Sequence, residues 1–216
     1  MNHAFLSPSL LNAANEVLQW AEEFLTRESK DLHRPRGSQS ICPFVSASIK
    51  HDSFYMVLHP EINQYHCDEQ VIEQVLLSYI PIFEESMSLD LKFKLTTTLL
   101  VVFPNLPEVE MRLLDRVHAN LKDRFVKAGL MIGQFHQYCD VPSVYNRDLL
   151  VSRSPIPLIA IRYMAMHDIL FLAEREDWFK TYEAQYGERY HDTAGIENYN
   201  HHLIEHYQRT KQNLMR

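Results

Sequence analysis

The sequence lacks an apolar run long enough to cross a membrane, and it lacks the features of a secretion signal. The long apolar stretch from Ile156 to Met166 is interrupted by Arg162, whereas a membrane-spanning helix needs about 20 apolar residues. Met1 to Pro8 contain neither a basic segment nor an apolar segment followed by a small-residue cleavage site. We therefore expect a soluble, cytoplasmic protein with no membrane partner.

Excess positive charge and paired cysteines are also missing. The 216 residues include 21 Lys and Arg against 28 Asp and Glu, which gives a formal net charge of −7. Nucleic-acid binding requires clustered cations that neutralise phosphates, so we expect no nucleic-acid partner. Cys42, Cys67 and Cys139 contain no Cys-x-x-Cys pair. An odd number of unpaired cysteines is typical of a reducing compartment, and we interpret them as free thiols or, in one case, a ligand.

Several motifs of large enzyme classes do not occur. None of the 5 Gly belongs to a G-x-G-x-x-G, Walker A or G-x-S-x-G pattern, which argues against dinucleotide-binding, P-loop and α/β-hydrolase proteins. The segment from His202 to His206 does match the zinc pattern His-x-x-Glu-His. Because zinc needs a third protein ligand, we interpret this match as chance on a polar surface helix.

What the sequence does contain is the composition of a folded domain. Hydrophobic residues make up 46% of the chain, and the few glycines favour one domain over two. We predict a single α+β domain over residues 1–216, with a helical tail from about 174 to 216. We expect the aromatic residues of this tail to pack either on the core of the same chain or on a second subunit of a homodimer. Helices flank a mixed or antiparallel sheet of about four to five strands, in a sandwich.

Hydrophobic periodicity and helix-breaking residues predict the individual elements. Helices are predicted over residues 8–28, from Asp68 to a kink or end at Pro81, over 107–128 with Gly129 as the terminating residue, and over 196–215. Strands are predicted over residues 54–58, 95–103, 130–136 and 156–164. The intervening stretches, including residues 29–40 and 138–154, are predicted to be loops.

The strand that ends in His136 is the first candidate site. Gly133 lies inside this strand, and a glycine there indicates a bulge or the close approach of another surface. A histidine at a strand end is well placed to bind a ligand. The alternative is a core histidine that is hydrogen-bonded to its neighbours. The remaining histidines that we considered, His59, His66, His118 and His191, are predicted at the surface.

The second candidate site is rich in arginine. Arg162 interrupts an otherwise apolar strand, and a buried charge must be paired with a carboxylate or a bound anion. Asp168 is either that partner or a helix N-cap. Arg153 precedes the same strand. Arg34 and Arg36 flank a proline in a predicted loop, and we interpret that loop as a solvated turn or an anion site.

These motifs resemble those of an uncharacterised bacterial family, a domain of unknown function that is found among specialised-metabolite genes. The residues that carry the resemblance are Cys42–Val45, Gly129–His136, Asn146, Ser152–Met164, Asp168 and Phe171–Leu172. The chain departs from the family's usual pattern at Gln134, where Glu is usual, and at Tyr163, where His is usual. Gln cannot act as a base, and a tyrosine titrates near 10, so neither side chain replaces the acid-base chemistry that Glu or His would provide at these positions.

The first functional hypothesis is a haem-dependent oxidase or N-oxygenase that acts on an amino acid or a small amine. His136 or Cys42 would ligate the haem iron, since both residue types are known axial ligands. Planar guanidinium groups would pair with the haem propionates, and the candidates are Arg34, Arg153 and Arg162. This hypothesis rests on an analogy with small bacterial haem enzymes.

The second hypothesis needs no redox chemistry. The protein would be a binding or accessory protein that holds an anionic small molecule through arginines, namely Arg34, Arg36, Arg153 and Arg162. A Cys/His acyl-transfer enzyme, with Cys42 as nucleophile and His136 as base, is a special case. A third possibility is an iron or zinc ion held by His136, His167 and Asp168.

Overall fold

A mixed four-stranded sheet forms the centre of the protein. The computed structural model describes residues 6–32, 40–85, 91–190 and 201–214. The strands are ordered β1-β2-β4-β3, with β1 and β2 parallel and the other two pairs antiparallel. Their bounds are Phe54–Leu58 for β1, Thr98–Val102 for β2, Leu130–Phe135 for β3 and Leu158–Tyr163 for β4. This architecture confirms the predicted α+β class.

Helices cover both faces of the sheet. Helices α1 to α9 span, in chain order, Pro8–Trp20, Pro43–Lys50, Glu69–Leu77, Ile80–Glu85, Leu91–Thr96, Leu113–Lys127, Ile169–Leu172, Glu176–Tyr186 and His201–Leu214. Among the described helices, none is long and apolar enough to span a bilayer.

Strand alternation divides the apolar side chains between two layers. On one face, Leu99 and Val101 pack with residues of α3 and α6, including Leu76 and Phe125. On the other face, Leu100 and Val102 pack with Val17 of α1 and with its neighbour Trp20. All five residues of β2 are buried, as expected for a central strand covered on both faces. A further cluster of apolar and tyrosine side chains holds α7, α8 and α9 together.

Several boundaries differ from the sequence prediction. Helix α1 ends at Trp20 and continues as a single π-helical segment, Ala21–Leu25. Leu95 and Thr96, predicted as the start of a strand, are the last two residues of α5, and β2 begins only at Thr98. Helix α3 ends at Leu77, and Pro81 lies in the first turn of the separate helix α4, where a missing backbone N–H is tolerated. Residues 191–200 lie outside the described residues.

The two glycines singled out in the sequence behave differently. Gly129 follows α6 with a φ of +72°, the left-handed conformation that terminates many helices. Gly133 instead pairs in regular register with Ala160, so β3 has no bulge there. An added Cβ at Gly133 would make only ordinary contact with the Phe135 ring, at 3.6 Å.

Candidate functional site

His136 lies immediately after β3, at the end of the sheet where α6 begins. Its side chain is fully buried, and its backbone N–H donates to the Ser152 carbonyl at 3.3 Å. Side chains along a strand alternate between the two faces of the sheet, so Ile132, Gln134 and His136 point to the same face. This is the face that α6 covers, because Ile132 packs in the α6 layer and Gln134 and His136 both contact Asp115 of α6.

A carboxylate orients the imidazole of His136. Nε2 of His136 lies 3.1 Å from Oδ1 of Asp115, and Nε2 of Gln134 donates to the same oxygen at 3.3 Å. The guanidinium of Arg112 is 3.9 Å from the second Asp115 oxygen. With Nε2 protonated, Nδ1 of His136 carries the free lone pair. It is buried and has no hydrogen-bond partner among the described residues.

Cys139 completes a cluster that we did not predict from the sequence. A turn after His136, closed by a 3.0 Å hydrogen bond from the Cys139 N–H to the His136 carbonyl, returns the chain toward the imidazole. One oxygen of Asp115, one nitrogen of His136 and Sγ of Cys139 lie within 4.8 Å of one another. Burial raises the pKa of the Cys139 thiol, and the nearby Asp115 carboxylate acts in the same direction. The His-x-x-Cys spacing of His136 and Cys139 was the available sequence signal.

The arrangement supports two kinds of chemistry. A histidine that donates one N–H to a carboxylate and keeps a free lone pair on the other nitrogen is typical of metal sites, and it also resembles a general base. The thiol, imidazole and carboxylate together are ligands that suit zinc or iron. A raised thiol pKa disfavours the free thiolate that a cysteine nucleophile needs, whereas a bound metal ion would itself stabilise the thiolate, so metal binding fits this cluster better than nucleophilic catalysis.

Arg153 lies at the same end of the sheet as His136. Its Nε donates to the carbonyl of Cys139 at 3.4 Å, and its terminal nitrogen is 3.4 Å from a carboxylate oxygen of Asp140. The side chain of Arg153 is 51% exposed. Arg153 also lines an open cleft of about 680 Å³ between α1 and the segment that precedes β4.

Arg162 is at the other end of the sheet. It pairs across the strands with Met131, five residues before His136, which corresponds to about 17 Å along an extended chain. Its two terminal nitrogens donate to the two Asp168 oxygens at 2.7 and 2.6 Å, and its guanidinium lies 4.0 Å from the centre of the Phe44 ring. Arg162 therefore has a carboxylate partner and does not share a site with His136.

The other predicted site residues do not join His136. Cys42 immediately precedes α2 and lies close enough to Arg162 for its thiol to interact electrostatically with the guanidinium. Asp168 is bound to Arg162, so His136, His167 and Asp168 do not form one metal site. Arg34 and Arg36 lie outside the described residues.

The prediction that His118 is at the surface is wrong. His118 is half-buried between α6 and β3, with Nε2 3.1 Å from the Ile132 carbonyl. Burial is the main cause that lowers its pKa to about 4. Its position on the polar side of the α6 sequence pattern gave no sign of this contact, because the partner is a backbone atom of a strand.

The fold and the site define an α+β protein with a carboxylate-histidine-thiol cluster on the α6 face of the sheet, at the same end as an open cleft lined by α1. The chain belongs to the family described as a domain of unknown function, DUF6875, which matches residues 14–197. This match confirms the resemblance to an uncharacterised family. No curated protein and no solved structure matches the chain.

Proposed function

We propose that the protein is a metal-dependent enzyme that binds one transition-metal ion through Asp115, His136 and Cys139. The observation that carries this proposal is the cluster of three ligand-capable atoms within 4.8 Å of one another, in which His136 and Cys139 are buried and Asp115 is half-buried. To coordinate the ion beside Asp115, His136 would use Nε2, which lies 3.1 Å from Oδ1 of that carboxylate, and its remaining proton would be on Nδ1.

The donor set favours Zn²⁺ or Fe²⁺. Thiolate sulfur is a soft ligand, imidazole is intermediate and carboxylate is hard, which is the mixture that these ions accept and that Mg²⁺ and Ca²⁺ do not. Three protein ligands leave a fourth position for water or substrate, as in catalytic zinc sites. The bound ion would supply Lewis acidity at that position. Gln134 would orient the Asp115 carboxylate through the 3.3 Å hydrogen bond.

Cobalt substitution tests this proposal directly. Metal-free protein is titrated with Co²⁺, and we expect one equivalent to produce a near-ultraviolet charge-transfer band that only thiolate coordination gives. Cys139→Ser should abolish that band, and His136→Gln should weaken Co²⁺ binding at least tenfold. Zn²⁺ at 100 times its Kd should raise the free energy of unfolding of the wild-type protein by about 2.7 kcal/mol.

Two matched variants serve as controls. Cys67→Ser removes a half-buried cysteine outside the cluster, and His118→Gln removes a neighbouring imidazole of α6. Both should keep the charge-transfer band. If wild-type protein showed no thiolate band with Co²⁺ and no stabilisation by Zn²⁺, or if Cys139→Ser kept the band, the proposed metal site would be wrong.

A haem-dependent oxidase or N-oxygenase is the second candidate, and one observation supports it. The hydrogen bond between Asp115 and His136 is the outer interaction that orients many metal-ligating histidines, including those that bind haem iron. Arg153 at the same end of the sheet is the remaining candidate partner for a propionate. Protein expressed with added haem should then show a Soret band that is lost in His136→Ala. A featureless spectrum would exclude this candidate and leave the single-ion site in place.

A further inference from the structure

We propose that the open cleft at the same end of the sheet as the metal cluster binds an α-amino acid with an apolar side chain, in its zwitterionic form. The cleft has a volume of about 680 Å³ and is lined by one carboxylate, one guanidinium and two aromatic rings, together with smaller side chains. Small-molecule sites are typically apolar clefts with a few polar groups that fix the orientation of the ligand.

Helix α1 and its π-helical extension supply one wall. Glu16, Trp20 and Phe24 all line the cleft, because residues four apart lie on the same side of a helix. The Trp20 and Phe24 rings are stacked with centroids 6.4 Å apart. Their faces would bind the apolar side chain of the ligand.

The segment before β4 and the residue after His136 supply the opposite wall. It consists of Gln137, Leu150, Arg153, Ser154 and Pro155. The contacts of Arg153 with the Cys139 carbonyl and with Asp140 are both long, at 3.4 Å, and half of its side chain is exposed. A guanidinium in this state can pair with a ligand carboxylate through two parallel hydrogen bonds.

Charge complementarity identifies the ligand class. Glu16 is exposed and has no ion pair among the described residues, and it faces the same cleft as Arg153. A carboxylate on one wall and a guanidinium on the other match the ammonium and carboxylate of a free amino acid. A purely anionic ligand would be repelled by Glu16, and an amine without a carboxylate would leave Arg153 unused.

The cleft is connected to the metal cluster through two residues. Gln137 follows His136 in the chain, and Arg153 donates to the carbonyl of Cys139. Ligand binding at Arg153 would therefore act on the loop that carries the thiol ligand. Binding of an amino acid is independent of the metal, whereas the claim that this amino acid is the substrate rests on the proposed metal-dependent function.

Calorimetry with three related ligands tests the proposal on the full chain, with and without Zn²⁺. L-phenylalanine should bind, while 3-phenylpropionate, which lacks the ammonium, and phenethylamine, which lacks the carboxylate, should each bind at least about tenfold more weakly. Glu16→Gln should weaken the binding of L-phenylalanine about tenfold and leave the affinity for 3-phenylpropionate unchanged or higher. Arg153→Gln should weaken the binding of L-phenylalanine by a similar factor and leave the affinity for phenethylamine unchanged.

Matched controls are Glu22→Gln, an exposed carboxylate on the same helical segment outside the cleft, and Arg147→Gln, an exposed arginine of the neighbouring loop. Both should bind L-phenylalanine like the wild type. Absence of L-phenylalanine binding to folded wild-type protein in both metal states, or equal binding of all three ligands, overturns the proposal. The Co²⁺ band is recorded on the same samples, so failure of the cleft proposal and failure of the metal proposal are told apart.

Discussion

Replacing Asp168 by Asn should cost more stability than any exposed charge substitution in the protein. The Asp168 side chain is fully buried, and Arg162 is 18% exposed. The two Asp168 oxygens accept hydrogen bonds from both terminal nitrogens of Arg162 and from the backbone N–H of Ala165 at 2.7 Å. In Asp168→Asn, one acceptor becomes an NH₂ donor that faces the guanidinium, and the Arg162 charge loses its counter-charge.

The magnitude follows from the burial of this pair. Removing one partner of a buried ion pair costs about 3–5 kcal/mol, because an uncompensated charge remains inside the protein. Two interactions of Arg162 persist in the variant, the 3.0 Å hydrogen bond to the Tyr163 carbonyl and the contact with the Phe44 ring. We therefore expect a loss near the lower end, about 3 kcal/mol. With a urea m-value of about 2 kcal/mol/M, this loss lowers the unfolding midpoint by about 1.5 M.

Urea unfolding followed by circular dichroism measures this loss against a matched control. Arg175 and Asp177 form an ion pair of the same length, 2.6 Å, but both side chains are 46% exposed. Exposed pairs contribute little to stability, so Asp177→Asn should unfold close to the wild-type midpoint. The double variant Arg162→Met with Asp168→Asn should be more stable than Asp168→Asn alone, because it contains no unpaired charge. If Asp168→Asn unfolded at the same midpoint as Asp177→Asn, our account of Arg162 as a paired core charge would be wrong.

Three further predictions concern single residues. Burial lowers the pKa of His118 from 6.5 to about 4, so His118 takes up a proton at a higher pH in the unfolded chain than in the folded protein. The free energy of unfolding should therefore fall by up to about 1.4 kcal/mol per pH unit as the pH drops from 6.5 towards 4. His118→Gln should make the pH profile of urea unfolding shallower, and an unchanged profile would contradict the assigned burial. Gly129→Ala should cost about 1 kcal/mol or more in the same assay, because φ is +72° and the new Cβ would lie 2.5 Å from Nε2 of Gln185, whereas Gly133→Ala should cost less. Gln134→Glu should destabilise the metal-free protein by at least about 1 kcal/mol, because it places a second carboxylate against Asp115, and Zn²⁺ should reverse that loss. If Zn²⁺ stabilised the variant no more than it stabilises the wild type, Asp115 would not be a ligand.

The parts of the fold that follow from local physics could be predicted from the sequence. Ser7 and Pro8 begin α1, Asp68 caps α3 with a hydrogen bond to the Gln70 N–H, and Gly129 terminates α6. The dense β-branched run of β2 gave the central strand. The predicted strand began too early, at Leu95, because Thr96 and Thr97 extend the β-branched run that precedes Leu99, and a short run of this kind is compatible with a helix end or a strand.

Tertiary contacts account for what could not be predicted. The sequence identified His136 and Arg162 as residues that need partners, and both have carboxylate partners in the structure. It could not show that these are two separate sites. That separation depends on the register of β3 against β4, in which Arg162 lies opposite Met131, and register is set by which side chains fit the two apolar layers rather than by any local motif.

The cluster around His136 combines a local signal with a distant one. His136 and Cys139 are three residues apart, so their proximity needs only the tight turn after β3, and attention to His-x-x-Cys spacing would have found the pair. Asp115 precedes His136 by 21 residues and reaches it only because α6 runs back along β3 with Leu114 and Val117 buried against the sheet. On the sequence, Asp115 reads as an ordinary acidic residue near a helix start, where it is favoured by the helix dipole. The packing of α6 is therefore what makes this carboxylate a candidate ligand rather than a surface charge.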